Sequence, residues 1–202
     1  MLNNKALQVL KRIRKEAPEA RPVLNNYIVK DAVLYMADGK KLVWTPTEIK
    51  DGLYTIEGEN VTETAGAYPD ILRLIPSDYK TAIKVNDVRN LLEFVKAYVK
   101  LYGLKRSNRK PVILLSIKDD SVKLTNDSDY NDVYMSYTFD DVMMADSTVY
   151  YNPFYLIDVL EFISANNTDN TATIKYHSRV LPLVIETDNG TGALVMPIRK
   201  SK

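Results

Sequence analysis

Three segments of the chain carry apolar residues at helical spacing. Ala6, Val9, Leu10, Ile13 and Ala17 form the first stripe, and Pro18 marks its end. The second opens at Asn86 or Asp87, turns Val88, Leu91, Leu92, Val95 and Val99 inward, and stops at Gly103. The third comes within a few residues of the pleat-forming run Val149-Tyr150-Tyr151. There Asn152 caps, and Pro153 takes the first helical position, where its missing N–H costs nothing. Leu156, Val159, Leu160 and Ile163 then recur inward.

The stretches after the three helices are alike. N-N-Y-I-V-K-D-A-V-L-Y-M-A-D and V-I-L-L-S-I-K-D-D-S-V-K-L-T-N-D each read as a strand, a turn at Lys-Asp and a second strand. T-A-T-I-K-Y-H-S-R-V-L-P-L-V-I-E reads as two strands around a polar turn. A helix–strand–strand unit thus recurs three times, roughly every 60–80 residues, as in a repeat architecture. The pattern predicts an α+β fold with three helices on one side of antiparallel sheets, each followed by paired strands. The polar stretch Glu57 to Ala67 divides the chain into 1–66, with one unit, and 67–202, with two.

Charge sharpens this picture. The formal net charge is only +1, but its placement is uneven. Lys5, Lys11, Arg12, Arg14 and Lys15 crowd the first helix, and Lys5, Lys11, Arg12 and Lys15 fall on the side away from its apolar stripe. Arg89, Lys96 and Lys100 lie along the second helix, with Lys105, Arg106, Arg109 and Lys110 just beyond. The third helix carries Asp158 and Glu161 but no lysine or arginine. A solvated helix face usually mixes signs, so an almost purely basic one points to a polyanion. There is no cysteine for a disulfide or thiolate zinc site, and His177 is the single histidine. With no signal peptide and no membrane-spanning apolar run, a cytoplasmic protein is the expectation.

Catalytic readings fare poorly. Asn126 to Asp132 has closely spaced oxygen ligands but lacks the glycine and distal glutamate of an EF-hand, and reads as a solvated turn. Asp119-Asp120 and Asp140-Asp141 place neighbouring carboxylates on opposite faces of a strand. A metal-dependent nuclease built on the Asp127–Asp132 loop therefore lacks converging ligands. His177 reads as a hairpin-turn residue, and Gly190-Thr191-Gly192 as a hairpin turn rather than a phosphate loop. Trp44 and the fourteen tyrosines are scattered, as core residues are. No cofactor or metal is expected, and the chain reads as a non-enzyme.

Three signposts, Y-P-D-I-L-R-L-I-P (68–76), Y-N-P-F-Y-L-I-D-V-L (151–160) and L-V-M-P-I-R (194–199), stand in the order found in the C-terminal domain of a known family. The sequence here resembles the bacterial DNA sliding clamp, the beta subunit of DNA polymerase III. Ala37-Asp38-Gly39-Lys40-Lys41-Leu42, preceded by R-P-V-L-N-N, loosely resembles a middle-domain signpost of that family, with Lys40 and Lys41 where the family has histidine and arginine. The resemblance implies a clamp-like fold: half a middle domain in 1–66 and a C-terminal domain in 67–202. It further implies a processivity factor with helices facing non-specifically bound duplex DNA, through Lys5, Lys11, Arg12, Arg14, Lys15, Arg89, Lys96 and Lys100. A peptide groove for a polymerase or clamp loader would be lined by Gly39, Leu42, Pro76, Asn152, Tyr155, Val180, Pro182, Leu194, Val195, Met196, Pro197 and Arg199. The chain holds fewer units than the familiar clamps, so a ring would require a homo-oligomer. The alternative is an interaction adaptor that keeps the groove but does not encircle DNA.

Overall fold

A computed structural model describes residues 3–57, 60–107, 111–118, 121–125, 135–139 and 147–199. The acidic doublets at 119–120 and 140–141, the loop 126–132, Arg109, Lys110 and the tail Lys200-Ser201-Lys202 lie outside the described residues.

Helix α1 spans Asn4–Glu16, α2 Val88–Leu101 and α3 Pro153–Asn166. Each begins at a side-chain cap that accepts a backbone N–H otherwise left without a partner. Asn3 takes the Ala6 N–H at 2.8 Å, Asp87 the Asn90 N–H at 2.8 Å and Asn152 the Phe154 N–H at 2.9 Å. Gly103, with φ +58°, supplies the left-handed residue just past α2.

The strands are β1 (Asn26–Lys30), β2 (Val33–Ala37), β3 (Lys41–Pro46), β4 (Gly52–Glu57), β5 (Asn60–Thr64), β6 (Thr81–Val85) and β7 (Ile113–Lys118). They continue with β8 (Ser121–Thr125), β9 (Ser136–Phe139), β10 (Ser147–Tyr151), β11 (Ala172–Tyr176), β12 (Leu183–Glu186) and β13 (Gly192–Val195). Nine of them join in the order β5-β4-β1-β2-β3-β13-β12-β11-β6, and four in the order β10-β7-β8-β9. Every pairing is antiparallel. The expected α+β arrangement therefore holds. Each helix is followed by at least three strands, however, not two: β3, β9 and β13 extend the pairs read from the sequence.

The main core lies between the helix layer and the sheets. It takes Ala6, Val9, Leu10 and Ile13 from α1, Val88, Leu91, Leu92, Val95 and Tyr98 from α2, and alternate strand residues such as Ile83, Val85 and Val195. Tyr98 is buried where the stripe named Val99, which packs partly exposed at the core edge. Helix α3 departs most from expectation. Flanked by α1 on one side and α2 on the other, with β3 and β13 beneath, it buries nearly its whole circumference, Asp158 included. Its apolar stripe is wide because three neighbours, not one, must be covered.

A smaller apolar cluster occupies the opposite face of the nine-stranded sheet: Ala37, Leu42, Trp44, Ile71, Val184 and Leu194. Residues 68–79 fold over it. Ile71 sits in a 3-10 turn (Ile71–Leu74), and the Ala37 N–H donates to the Tyr68 hydroxyl at 3.3 Å.

Candidate nucleic-acid interface and peptide groove

On the helix side, α1 and α2 stand as walls on either side of α3 and enclose a cleft of about 610 Å³. Lys5, Gln8, Val9 and Arg12 line one wall, Arg89, Leu92, Glu93 and Lys96 the other, and Glu161, Ser164 and Ala165 of α3 the floor. Helical spacing explains the selection: positions 5, 8, 9 and 12 share one flank of α1, and 89, 92, 93 and 96 one flank of α2. Four of the eight expected DNA-binding residues thus converge. Lys11, Arg14, Lys15 and Lys100 sit on the same two helices outside the cleft.

Two of the converging cations are engaged. The Arg12 guanidinium donates through its terminal nitrogen to Glu161 and through Nε to Asp158, the latter at 3.1 Å. Lys96 meets Glu93 at 3.1 Å and Glu161 at 3.3 Å.

Beneath the cleft lies a buried charge cluster that sequence reasoning did not assemble. Asp158, wholly buried, accepts two hydrogen bonds from Arg106 at 2.7 and 2.9 Å and meets the Lys41 ammonium at 3.1 Å. Lys41 is also wholly buried and pairs with Asp38 at 2.8 Å and Glu16 at 2.5 Å. Burial alone would lower the Lys41 ammonium, but the charges of Asp38 and Asp158 reverse this and raise it. Burial alone would raise the Asp158 carboxyl, yet hydrogen bonds from Arg106 and the charges of Lys41, Arg106 and Arg12 hold it below the usual range. Arg106 and Lys41 lie far from Asp158 in sequence. The available signal was the unpaired acid stripe Asp158–Glu161 on an otherwise apolar helix.

That stripe continues toward the groove. Tyr155, one turn before Asp158, covers the Lys41 ammonium with its ring at 4.7 Å. Asn152, nearly buried, is occupied as the α3 cap. Gly39 (φ +84°) and Lys40 form the turn between β2 and β3, where the Asp38 carboxylate accepts the Lys40 and Lys41 N–H groups at 2.8 and 2.9 Å. Leu42 and Leu194 face each other across the β3–β13 seam on the outer side. Met196 packs partly exposed beside them, its N–H donated to Lys40 O at 2.8 Å. Val195 alternates to the other face, where it is fully buried in the main core, so its side chain cannot line an outer groove. Pro197 lies just past β13, where the chain turns from its partner β3 toward β10, the Ile198 N–H donating to Tyr150 O at 2.7 Å. Arg199 and Val180 are exposed, Pro76 half-buried and Pro182 buried. Burial pushes the Tyr68 phenol up to about 12 despite its bond from Ala37, so it stays neutral near pH 7.

Elsewhere the bland readings fit. His177 faces Asp78 at 3.2 Å, at the start of the β11–β12 loop. Gly190 (φ +83°) forms the turn before β13, but Gly192 is already in the strand. Among the described residues no group of three or more histidines and carboxylates is arranged to hold a metal, and no helix is long and apolar enough to cross a membrane.

Helices on one side of antiparallel sheets, with the last strand of the chain paired to a strand of its first unit, define a DNA-clamp fold. The fold is that of the beta chains of bacterial DNA polymerase III. Over 96% of its length the chain superposes on 63% of the beta chain from Streptococcus pneumoniae, with a TM-score of 0.67 and 23% identity. Over its whole length it superposes on 66% of the beta subunit from Borrelia burgdorferi, with a TM-score of 0.69 and 20% identity. In sequence it is similar to the beta sliding clamp of Streptococcus pneumoniae, 30% identical over 138 residues that make up 66% of this chain and 34% of that protein. It is 28% identical, over an equal length, to the beta sliding clamp of Bacillus subtilis. These matches span about a third of the length of those curated relatives. No family model matches the chain.

Proposed function

We propose that the protein is a compact, non-catalytic sliding-clamp-like processivity factor. Its helix layer meets duplex DNA non-specifically, and its outer groove holds a short peptide from a polymerase or clamp loader. Residues 1–66 act as half a clamp domain and 67–202 as a complete one, assembled as a homo-oligomer in the cytoplasm. The convergence of Lys5, Arg12, Arg89 and Lys96 on the helix side carries the reading. Phosphate attraction without base contacts permits sliding, and cations on rigid helices serve it well. One observation favours the adaptor instead: Arg12 and Lys96 are already paired with carboxylates.

Lys5 and Arg89 decide between them. Both side chains are exposed on the cleft walls, so replacing both by alanine should change stability by less than about 0.5 kcal/mol. In anisotropy titrations with duplex DNA, the slope of log affinity against log salt should become shallower by about 1.8, or about 0.9 per lost phosphate contact. A wild type with no salt-dependent DNA affinity would sink the clamp reading and leave the adaptor.

The groove has its own test. Tyr155→Ala and Met196→Ala should each weaken a polymerase-derived clamp-binding peptide, and together by at least about tenfold, because aromatic and sulfur anchors commonly dominate such contacts. Both side chains are only partly buried, so the melting temperature should fall less than for a core truncation. Unchanged peptide affinity in the folded double variant would remove the groove assignment.

A further inference from the structure

We propose that Glu161 is an internal competitor for duplex DNA, holding the two cations that a phosphate entering the cleft would need. The inference rests on the DNA-facing role proposed above and concerns how strongly that face binds. Glu161 lies on the cleft floor and spans the two walls, one carboxylate oxygen meeting Arg12 of α1 and the other Lys96 of α2.

The pairs it makes are exchangeable. The side chains of Arg12 and Lys96 are 37% and 38% exposed, so water screens both contacts. Arg12 is different on its other side, where Nε is held by the fully buried Asp158. When Glu161 lets go, Asp158 still keeps the guanidinium at the cleft, with its terminal nitrogens turned to a new acceptor. Lys5 and Arg89 make no ion pair among the described residues. A phosphate that meets them adds a contact, whereas one that meets Arg12 replaces Glu161, and one that meets Lys96 replaces Glu161 and Glu93, with little net counterion release. The cleft therefore presents four cations but attracts DNA as if it held about two. Weak holding suits a surface over which DNA must move.

Glu161→Gln keeps the size of the side chain and removes its charge. Salt titrations with duplex DNA should give a slope steeper by up to about 1.8, and affinity on the order of tenfold tighter at about 0.1 M salt. Asp78→Asn is the control, since Asp78 pairs with His177 beside Tyr79 of the outer cluster and carries the same unit charge away from the helix face. It should leave the slope unchanged. Adding Arg12→Gln to Glu161→Gln should take back about half the gain. If thermal melting shows that Glu161→Gln folds poorly, Glu93→Gln, an exposed partner of Lys96, must steepen the slope in the same direction. A wild type with salt-dependent binding, and charge-neutralised variants whose slopes match it, would overturn the inference and leave the DNA reading standing. Absence of binding by every variant would overturn both.

Discussion

Asp158→Asn should lower the stability of the protein by about 3 kcal/mol, the low end of the roughly 3–5 kcal/mol expected when one member of a buried ion pair is removed. Asp158 and Lys41 are both wholly buried, and the substitution leaves the Lys41 ammonium facing a neutral amide. Two features keep the loss from the upper end. Lys41 retains Asp38 and Glu16, and Arg12 and Arg106 are each 37% exposed, so their share is screened by water. Urea unfolding should show a lower midpoint at unchanged slope. For a chain of this length the melting temperature should fall by roughly 6–12 °C.

The same substitution has a pH signature. The folded Asp158 carboxyl titrates below its unfolded value, so its contribution is present above about pH 5 and is lost as pH falls through the folded value. Lys41 is shifted the other way, and its contribution is full below about pH 10 and is lost as pH rises through its folded value. The wild type should therefore lose stability on acidification more steeply than Asp158→Asn, the two curves converging at low pH. Parallel acid limbs, or a stability change under about 0.5 kcal/mol, would show that the cluster contributes little.

Gly192→Ala should be the other severe change, by a different mechanism. Gly192 opens β13 directly opposite Trp44 of β3. A Cβ there would stand 2.3 Å from Trp44 Cζ2 and 2.4 Å from Cε2, inside any tolerable contact. Overpacking of this kind costs typically about 1–3 kcal/mol, and here it falls on the seam that joins the first unit to the last. Trp44 is the only tryptophan, so its emission reports the displacement directly. Gly39→Ala is the comparison. Its φ of +84° imposes backbone strain, but a Cβ meets nothing within 4 Å, so it should cost about 1–2 kcal/mol and leave the emission unchanged. Equal emission spectra for wild type and Gly192→Ala would mean that the seam accommodates a methyl group.

The sequence by itself determined the local features. The α1 stripe, the Asn152-Pro153 corner, the stop at Gly103 and the β1–β2 turn arise from propensity and capping over a few residues. Each stands where those rules put it, except that the α1 stripe closes at Ile13, since Ala17 lies past the helix end, extended and only partly buried. The basic flanks of α1 and α2 were legible for the same reason, because helical spacing alone fixes which residues share a side. The tertiary structure decided whatever depends on distant partners. Only the pairing of β3 with β13 creates one sheet from two ends of the chain, and only that sheet buries Lys41 under α3. Pattern reading treats a lysine at a strand start as exposed, because nothing nearby in the chain announces the burial; two of its partners arrive from α1 and α3. The same packing turned Val195 inward and buried α3 nearly all round, Asp158 included. It also placed Glu161 between Arg12 and Lys96, since a side chain's charge is written in the sequence but its counter-charge is chosen by the fold.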